Sequence, residues 1–347
     1  MSNKSRRKHI KNLGLGLVAI PAYASLGSLL NACSSKSSNK SMITTEDNND
    51  SFFEISLAQW SLHRSFYGKS LELPREELRK IRREGAVNVY QGELNPIDFA
   101  VIAKRKFGIE AVEYVNQFFF TKAEDTSYLN ELITRSKGEG VKNLLIMCDA
   151  EGNLGNLNDT ERVQAVENHY KWVNAAKYLG CHSIRVNAAG QGTYDEVKDA
   201  AIDGIGRLTD YASKEGINVI VENHGGYSSN GQWLTEVIQK VNNSYCGTLP
   251  DFGNFCIEKA SDGCANEYDR YQGVKELLPY AKGLSAKTYD FDADGNETTI
   301  DYAKMLDLVK SAGFSGYIGV EYEGMTLSEE EGIKRSKALL ERVRRGQ

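Results

Sequence analysis

Apolar and polar positions follow a regular rhythm from about residue 53 to the C-terminus. Short runs rich in β-branched residues, which are typical of buried parallel strands, recur about every 30 to 40 residues. Segments with helical periodicity separate these runs, among them residues 73–84, 161–179, 194–215 and 234–241. The predicted strands cover residues 53–60, 109–115, 143–148, 183–187, 218–222, 247–251, 283–287 and 317–321.

The number and order of these elements predict the fold class. Eight strand–helix units over just under 300 residues indicate an α/β protein, a (β/α)8 TIM barrel. A doubly wound open sheet is the second candidate, but no Gly-x-Gly-x-x-Gly loop follows the first strand. The first unit is about 20 residues longer than the others, with the excess in residues 67–93. We expect this insertion on the catalytic face, as a lid over the site or as a subunit contact.

The N-terminal 51 residues do not share this rhythm. Residues 5–11 are basic, an apolar stretch follows, and residues 30–33 (LNAC) resemble the lipobox of bacterial lipoproteins. The resemblance implies a signal peptide with lipobox over residues 1–33 and lipidation of Cys33. Residues 34–51, with almost no apolar content, are predicted to be a flexible linker, and the barrel is expected over residues 52–347. An exported lipoprotein follows, periplasmic or membrane-tethered, that meets the membrane only through its lipid anchor. An uncleaved anchor is the alternative.

Charge and cysteine content narrow the classes of function. The formal net charge of −5 includes five cations in residues 1–32, so the remainder carries −10 and is poorly suited to nucleic acid. Five cysteines follow the lipobox without any Cys-x-x-Cys pair, which disfavours a zinc knuckle. Cys148 and Cys181 lie in apolar runs and are predicted core residues. A disulfide among Cys246, Cys256 and Cys264 stays open, as does homo-oligomerisation.

Three predicted strands end in a carboxylate, at Glu222, Asp251 and Glu321. Because the carboxyl ends of barrel strands share one face, we expect these side chains to converge. Carboxylates crowded in a half-buried site repel one another and stay charged only beside a cation. An oxygen-rich site favours Mn²⁺ or Mg²⁺ over zinc, so a divalent metal is the predicted cofactor. For each acid alone, a solvated turn or helix cap is the alternative.

Four motifs surround these positions, at residues 220–226 (IVENHGG), 249–254 (LPDFGN), 285–290 (SAKTYD) and 319–324 (GVEYEG). With them, the chain from about residue 52 to the C-terminus resembles the xylose-isomerase-like TIM barrels known as sugar phosphate isomerases/epimerases. The resemblance implies that Glu222, Asp251 and Glu321 hold a divalent metal and that the two glutamates move a proton at a ketose carbon.

Two departures from that family's pattern alter the expected site. Where His-x-Lys is usual, this chain has Ser285-Ala286-Lys287, and the usual His three residues after the Asp is Asn254. Without this imidazole ligand we expect weaker metal binding. The alternative is that the Lys287 ammonium lies among the acids and takes the place of the metal charge. His224 lies two residues beyond Glu222, which ends the fifth predicted strand, so strand alternation puts both side chains on the same side. It is a candidate substitute ligand or general acid/base, or simply a hydrogen-bonded histidine at the barrel mouth.

These features predict a metal-assisted isomerase or epimerase that acts on a small-molecule carbohydrate. We assign Glu222 and Glu321 as the acid/base pair, Asp251 as a ligand only, and Lys287 as the cation that stabilises an enediolate oxygen. No arginine or glycine cluster is strong enough to argue for a phosphorylated substrate. Side chains from other strand ends and turns are predicted to bind the sugar, namely Gln59, Trp60, His63, Glu113, Asn187 and Asn254.

Three other functions stay open. A 3-keto-glycoside lyase would share the first proton abstraction and then lose a β-oxygen. A barrel that has lost a metal ligand could bind carbohydrate without catalysis. A metal-dependent DNA-repair nuclease of the same superfamily is disfavoured by the acidic body and by a total of five histidines.

Overall fold

Eight parallel strands form the centre of the molecule, with helices between them. The structure, a computed structural model, describes residues 52–86 and 88–346. The barrel strands are β1 Phe53–Ala58, β2 Ala111–Val115, β3 Lys142–Met147, β4 Ser183–Asn187, β5 Asn218–Glu222, β6 Cys246–Leu249, β9 Leu284–Thr288 and β10 Gly316–Tyr322. Their order is β6-β5-β4-β3-β2-β1-β10-β9, and the isolated bridges Thr248–Ala281 and Asp251–Ser285 join the two ends. The predicted (β/α)8 TIM barrel is confirmed, whereas the signal peptide, lipobox and linker lie outside the described residues.

The helices surround the barrel, and several begin where the sequence supplies a capping side chain. Thr193 accepts the N–H of Glu196, and the Glu196 carboxylate accepts the N–H of Thr193, which forms a capping box. Asn95 accepts the N–H of Ile97 and so caps a short 3-10 turn that starts at Pro96, just before the helix Phe99–Phe107. The helices are α1 His63–Tyr67, α2 Arg75–Glu84, α3 Phe99–Phe107, α4 Thr126–Gly138, α5 Asp159–Leu179, α6 Tyr194–Lys214, α7 Gly231–Val241, α8 Arg270–Leu277, α9 Tyr302–Ser311 and α10 Glu329–Arg344.

Strand alternation separates the apolar shell from the polar interior of the barrel. In β5, Val219 and Val221 point to the helices, while Glu222 belongs to the opposite, inward set. The parallel register pairs Asn187 with Glu222 and Lys287 with Glu321, so polar inward residues of neighbouring strands lie at one level. The register therefore brings chemistry from distant segments to the carboxyl end of the barrel.

Two additions project from the barrel frame. The insertion after β1 is pinned at its base by a Gly68–Gln91 bridge, and its helix α2 buries no residue. A hairpin of β7 Cys256–Ala260 and β8 Gly263–Glu267 follows β6 and carries a Cys256–Cys264 disulfide, which settles the open pairing. The three remaining cysteines of the described part are free and buried. No helix among the described residues is long and apolar enough to cross a membrane.

Candidate active site

The three strand-end acids meet inside the carboxyl end of the barrel. One oxygen each from Glu222, Asp251 and Glu321 lies within 4.8 Å of the others. The exposed fractions of these residues are 1%, 0% and 5%. The structure thus brings together acids that are up to 99 residues apart in the chain, in surroundings where each ionised carboxylate needs a partner.

Ser285 and Lys287 of β9 connect two of these acids. The Ser285 Oγ lies 2.7 Å from Asp251 Oδ2 and 2.9 Å from Glu321 Oε2. A hydroxyl carries one proton, so both contacts are hydrogen bonds only if one of the two carboxyl groups is protonated. The Lys287 Nζ lies 2.9 Å from Glu321, 3.1 Å from Glu323 and 3.7 Å from Asp251. Ser285 and Lys287 therefore supply a hydroxyl and a fixed cation to the acids.

Arg185 is a second buried cation, which the sequence analysis missed. Its Nε lies 2.7 Å from Glu222 Oε2, and its Nη1 donates to Asp149 Oδ1 at 2.8 Å. Asp149 also accepts the amide of Gln117 at 2.9 Å, so it is held from two sides. The available signal was a charged residue inside the apolar strand 183–187, at the same parity as Asn187.

The acids differ in protonation because their partners differ. Burial raises the pKa of Glu222 to about 7, although the nearby Arg185 opposes the shift. Burial also raises the pKa of Asp251 to about 7, against the charge of Lys287. Burial alone would raise the pKa of Glu321, but its contact with Lys287 outweighs this and lowers the pKa. Near neutral pH the site therefore holds one ionised glutamate beside two groups that can gain or lose a proton.

The residues present fit a divalent cation. Five carboxylates, those of Asp149, Glu222, Asp251, Glu321 and Glu323, contact two cations, which leaves an excess of negative charge when all are ionised. The buried Oε2 of Glu222 accepts no hydrogen bond within the described residues, despite its ion pair with the guanidinium. A carboxylate-only ligand set suits a hard, oxygen-preferring metal.

A cavity of about 1190 Å³ opens over the acids. Trp60, His63 and His224 line it, together with Glu321 and Arg185. The Trp60 and His63 rings stack at 4.6 Å with 8° between their planes, which presents an aromatic surface beside the acids. Burial lowers the pKa of His224, and Arg185 acts in the same direction, so its imidazole is neutral at pH 7.

Four predicted sugar-binding residues do not line the cavity, and three of them, Gln59, Asn187 and Asn254, bond to protein groups instead. Gln59 donates to the Pro96 carbonyl and accepts the Val115 N–H at 2.9 Å, which fixes the β1 turn. The Asn187 amide donates to Asp149 at 2.9 Å, and the Asn254 amide donates to Glu222 at 2.9 Å. Asn187 and Asn254 position acids of the site. Asn187 ends β4 and Asn254 lies in the loop after β6, but neither position in the sequence indicated which partner the side chain takes.

Glu113 is the fourth of these residues, and it lies inside the barrel. It is 1% exposed, accepts the Ser56 hydroxyl at 2.6 Å, and its Oε2 has no hydrogen-bond partner in the described part. Gly319 leaves the space for it, since a Cβ there would lie 2.6 Å from Glu113 Oε1. Burial raises the pKa of Glu113 to about 8, so this carboxyl is largely protonated at neutral pH.

The sequence around this site matches a known protein family. A family model described as xylose isomerase-like TIM barrel matches residues 101–343. The match includes the three acids, Ser285, Lys287 and Arg185, but not the first strand or α2. No curated protein matches the sequence.

Solved structures share the architecture at low sequence identity. The IOLI protein with a binding zinc atom has a TM-score of 0.58 and 15% identity, over 84% of this chain and 98% of its own. An L-ribulose 3-epimerase has a TM-score of 0.58 and 13% identity, over 84% and 96%. The 3-keto-D-glucoside 4-epimerase YcjR from E. coli, in its apo form, has a TM-score of 0.56 and 14% identity, over 71% and 94%. At these identities the likeness shows the fold alone.

Proposed function

The chain belongs to the xylose isomerase-like TIM barrel family, and on that premise we propose that it is a metal-assisted sugar isomerase or epimerase acting on a keto-sugar. One observation carries the proposal, which is the buried triad of Glu222, Asp251 and Glu321 within 4.8 Å beside a large cavity. The reaction removes a proton from the carbon next to a carbonyl. Its return to the other face gives an epimer, and its return to the adjacent carbon gives an isomer.

Glu222, Asp251 and Glu321 would hold the divalent cation. Their three oxygen ligands suit Mn²⁺ or Mg²⁺. When bound, the cation polarises the substrate carbonyl and lowers the pKa of the neighbouring C–H. The epimerase and the zinc-binding protein among the similar structures support this class of function, without naming the sugar or the metal.

Glu321 is the better placed member of the acid/base pair, because it lines the cavity and Lys287 keeps it ionised. Glu222 is 1% exposed, and the Arg185 guanidinium covers one side of it. It can therefore exchange a proton with the substrate only when this guanidinium moves toward Asp149, its other partner. Lys287 donates toward three carboxylates and does not line the cavity, so we assign it to holding the acids. Arg185 lines the cavity and is the cation available to a developing enediolate oxygen.

A 3-keto-glycoside lyase is the second candidate, and the size of the cavity favours it. The cavity of about 1190 Å³ leaves room for an aglycone beside the reacting ring. The similar structure described as a 3-keto-D-glucoside 4-epimerase also points to keto-glycosides. The first proton abstraction is the same, and loss of the β-oxygen substituent replaces the return of the proton.

Proton exchange in D₂O tests the proposal. Purified protein with added Mn²⁺ or Mg²⁺ is incubated with D-tagatose, D-fructose and methyl 3-keto-glucoside, and loss of the ¹H signal beside the carbonyl is followed. We expect metal-dependent exchange, reduced about 10²- to 10⁴-fold in Glu321→Gln and Glu222→Gln. Exposed Glu54→Gln, on β1, is the matched control and should exchange like the wild type.

The outcomes separate the candidate functions. Release of free methanol from the glycoside identifies the lyase. Binding of the sugars without exchange above the metal-only background would make the protein a non-catalytic carbohydrate-binding barrel. Metal analysis of the purified protein identifies the ion.

We also propose that the barrel works outside the cytoplasm as a lipid-anchored protein. The support is the LNAC motif at residues 30–33, which lies outside the described residues. Mass spectrometry of the membrane fraction should find acylated Cys33 at the new N-terminus. An unprocessed N-terminus would contradict this proposal and leave the enzymatic one intact.

A further inference from the structure

The cavity over the acids is larger than a single sugar ring requires. Its volume of about 1190 Å³ exceeds the roughly 300–1,000 Å³ of pockets that enclose drug-sized ligands. Asp149, Glu321 and Glu323 line it on the barrel side. A monosaccharide bound at these acids would leave the rest of the cavity unfilled.

The part of the cavity lined by α2 and the β7–β8 hairpin is positively charged, and we call it the cationic wall. It comprises Arg75, Arg79, Lys80, Arg82 and Arg83 of α2, with Lys259 of the β7–β8 hairpin. Two acids of α2 also line the cavity, and each lies beside a cation of the same helix, Glu76 at Arg79 and Glu84 at Lys80. Among the described residues no carboxylate lies within ion-pair distance of the other four cations, Arg75, Arg82, Arg83 and Lys259.

Two of these guanidiniums are held in place by neutral groups. Arg82 donates to the Tyr67 hydroxyl at 3.3 Å and to the side-chain oxygen of Gln117. Arg83 donates to the Ala150 carbonyl at 3.3 Å. Neutral acceptors fix the position of a guanidinium without cancelling its charge, so both can still bind an anion. The same loops that carry Asp149 and Gln117 therefore connect the cationic wall to the acids.

We propose that the cationic wall binds an anionic group of the substrate, a carboxylate or sulfate on a sugar unit beyond the reacting ring. This inference rests on the proposed function. The acids on the barrel side repel the same anion, so the charge pattern orients the substrate with its neutral keto ring at Glu321 and its anionic unit at α2. The substrate class is thus an acidic glycoside or oligosaccharide rather than a free neutral monosaccharide.

Binding of matched disaccharides tests this inference. Cellobiose, its uronic acid (glucuronosyl-β-1,4-glucose) and its 6′-sulfate are titrated by calorimetry at 20 and 300 mM NaCl. We expect at least one acidic probe to bind the wild type at least about fivefold more tightly than cellobiose at low salt, with less than about twofold preference at high salt. The tighter of the two acidic probes identifies the group.

The double variant Arg82→Gln/Arg83→Gln should lose this preference and keep its affinity for cellobiose, because α2 has no fully buried residue and its core contacts come from Leu78 and Ile81, which the variant retains. The matched control Lys214→Gln/Lys240→Gln removes the same charge from exposed ends of α6 and α7 at the opposite end of the barrel, and should keep the preference.

Equal binding of all three probes by the wild type, or no measurable binding of any, overturns the inference, as does full preference in the double variant. Catalysed exchange in D₂O without charge preference overturns only this inference. Charge preference without exchange overturns only the isomerase proposal.

Discussion

The acids at the strand ends and the cationic wall line one cavity but hold their charges in different ways. Glu222, Asp251 and Glu321 are at most 5% exposed, and fixed partners within about 3 Å surround them. The α2 cations are mostly exposed and lie on a helix with no fully buried residue. One region belongs to the hydrogen-bonded barrel, and the other to an insertion bridged at residues 68 and 91.

This difference separates the chemistry from the recognition. Buried charges without partners cost several kcal/mol each, so the acids at the strand ends can change only together with Lys287, Ser285 and Arg185. Exposed charges on α2 interact weakly with their neighbours, so they can change singly with little effect on folding. We therefore expect the reaction type to be fixed by the barrel and the substrate preference by the insertion.

The largest expected effect is the loss of a fixed cation from among the acids. Lys287→Met leaves three carboxylates without their ammonium, so the free energy of unfolding should fall by about 3–5 kcal/mol in chelator. Added Mg²⁺ or Mn²⁺ should recover part of this loss, because a bound cation replaces the missing charge. Urea denaturation with and without metal measures both effects.

Lys310→Met, at an exposed position near the end of α9, is the control and should change the unfolding free energy little. If Lys287→Met is as stable as the wild type in chelator, the ammonium does not hold these carboxylates together.

The positions of the three acids could be predicted because a repeating fold fixes them. Each of Glu222, Asp251 and Glu321 follows an apolar run, and the ends of parallel strands share one face. Side-chain packing did not have to be known, because the register of the parallel strands alone brings Glu321 opposite Lys287. The periodicity that predicted the barrel thus also predicted where its acids meet.

Side-chain partners could not be predicted in the same way. Gln59 and Glu113 carry groups able to bind a sugar, but the Gln59 amide bonds to Val115 and Pro96, and Glu113 is buried inside the barrel beside Ser56. These partners come from segments that are distant in the sequence and meet only in the folded barrel. A local sequence pattern therefore does not predict them. The sequence predicted the insertion, residues 67–93, on the catalytic face but left open whether it is a lid or a subunit contact. The structure shows that its helix α2 lines the cavity.

A smaller effect should come from Glu113, the inward carboxyl that no cation contacts directly. Its pKa is raised from 4.5 to about 8 on folding, so the folded state keeps a proton that the unfolded state has lost between these values. Its contribution to stability is therefore full below about pH 4.5 and is lost as the pH rises through about 8.

Over two pH units in that window, one such group changes the unfolding free energy by about 2–3 kcal/mol. Glu113→Gln should be less sensitive to pH by this amount between pH 5.5 and 7.5, as measured by urea denaturation. The Glu54→Gln variant, exposed on the same sheet, should follow the wild type. Parallel pH profiles for Glu113→Gln and the wild type would show that the Glu113 carboxyl does not keep its proton on folding.

The smallest expected effect is that of changing Arg79 in the cationic wall. Arg79 is exposed and pairs with Glu76, one helical turn away, so Arg79→Gln should change the unfolding free energy by less than about 0.5 kcal/mol. Glu76→Gln, which removes the other member of the pair, should give a similarly small change in urea denaturation. A loss above about 1.5 kcal/mol in either variant would mean that α2 is part of the cooperative core. The insertion could then not vary independently of the barrel, and the separation between fixed chemistry and variable recognition would fail.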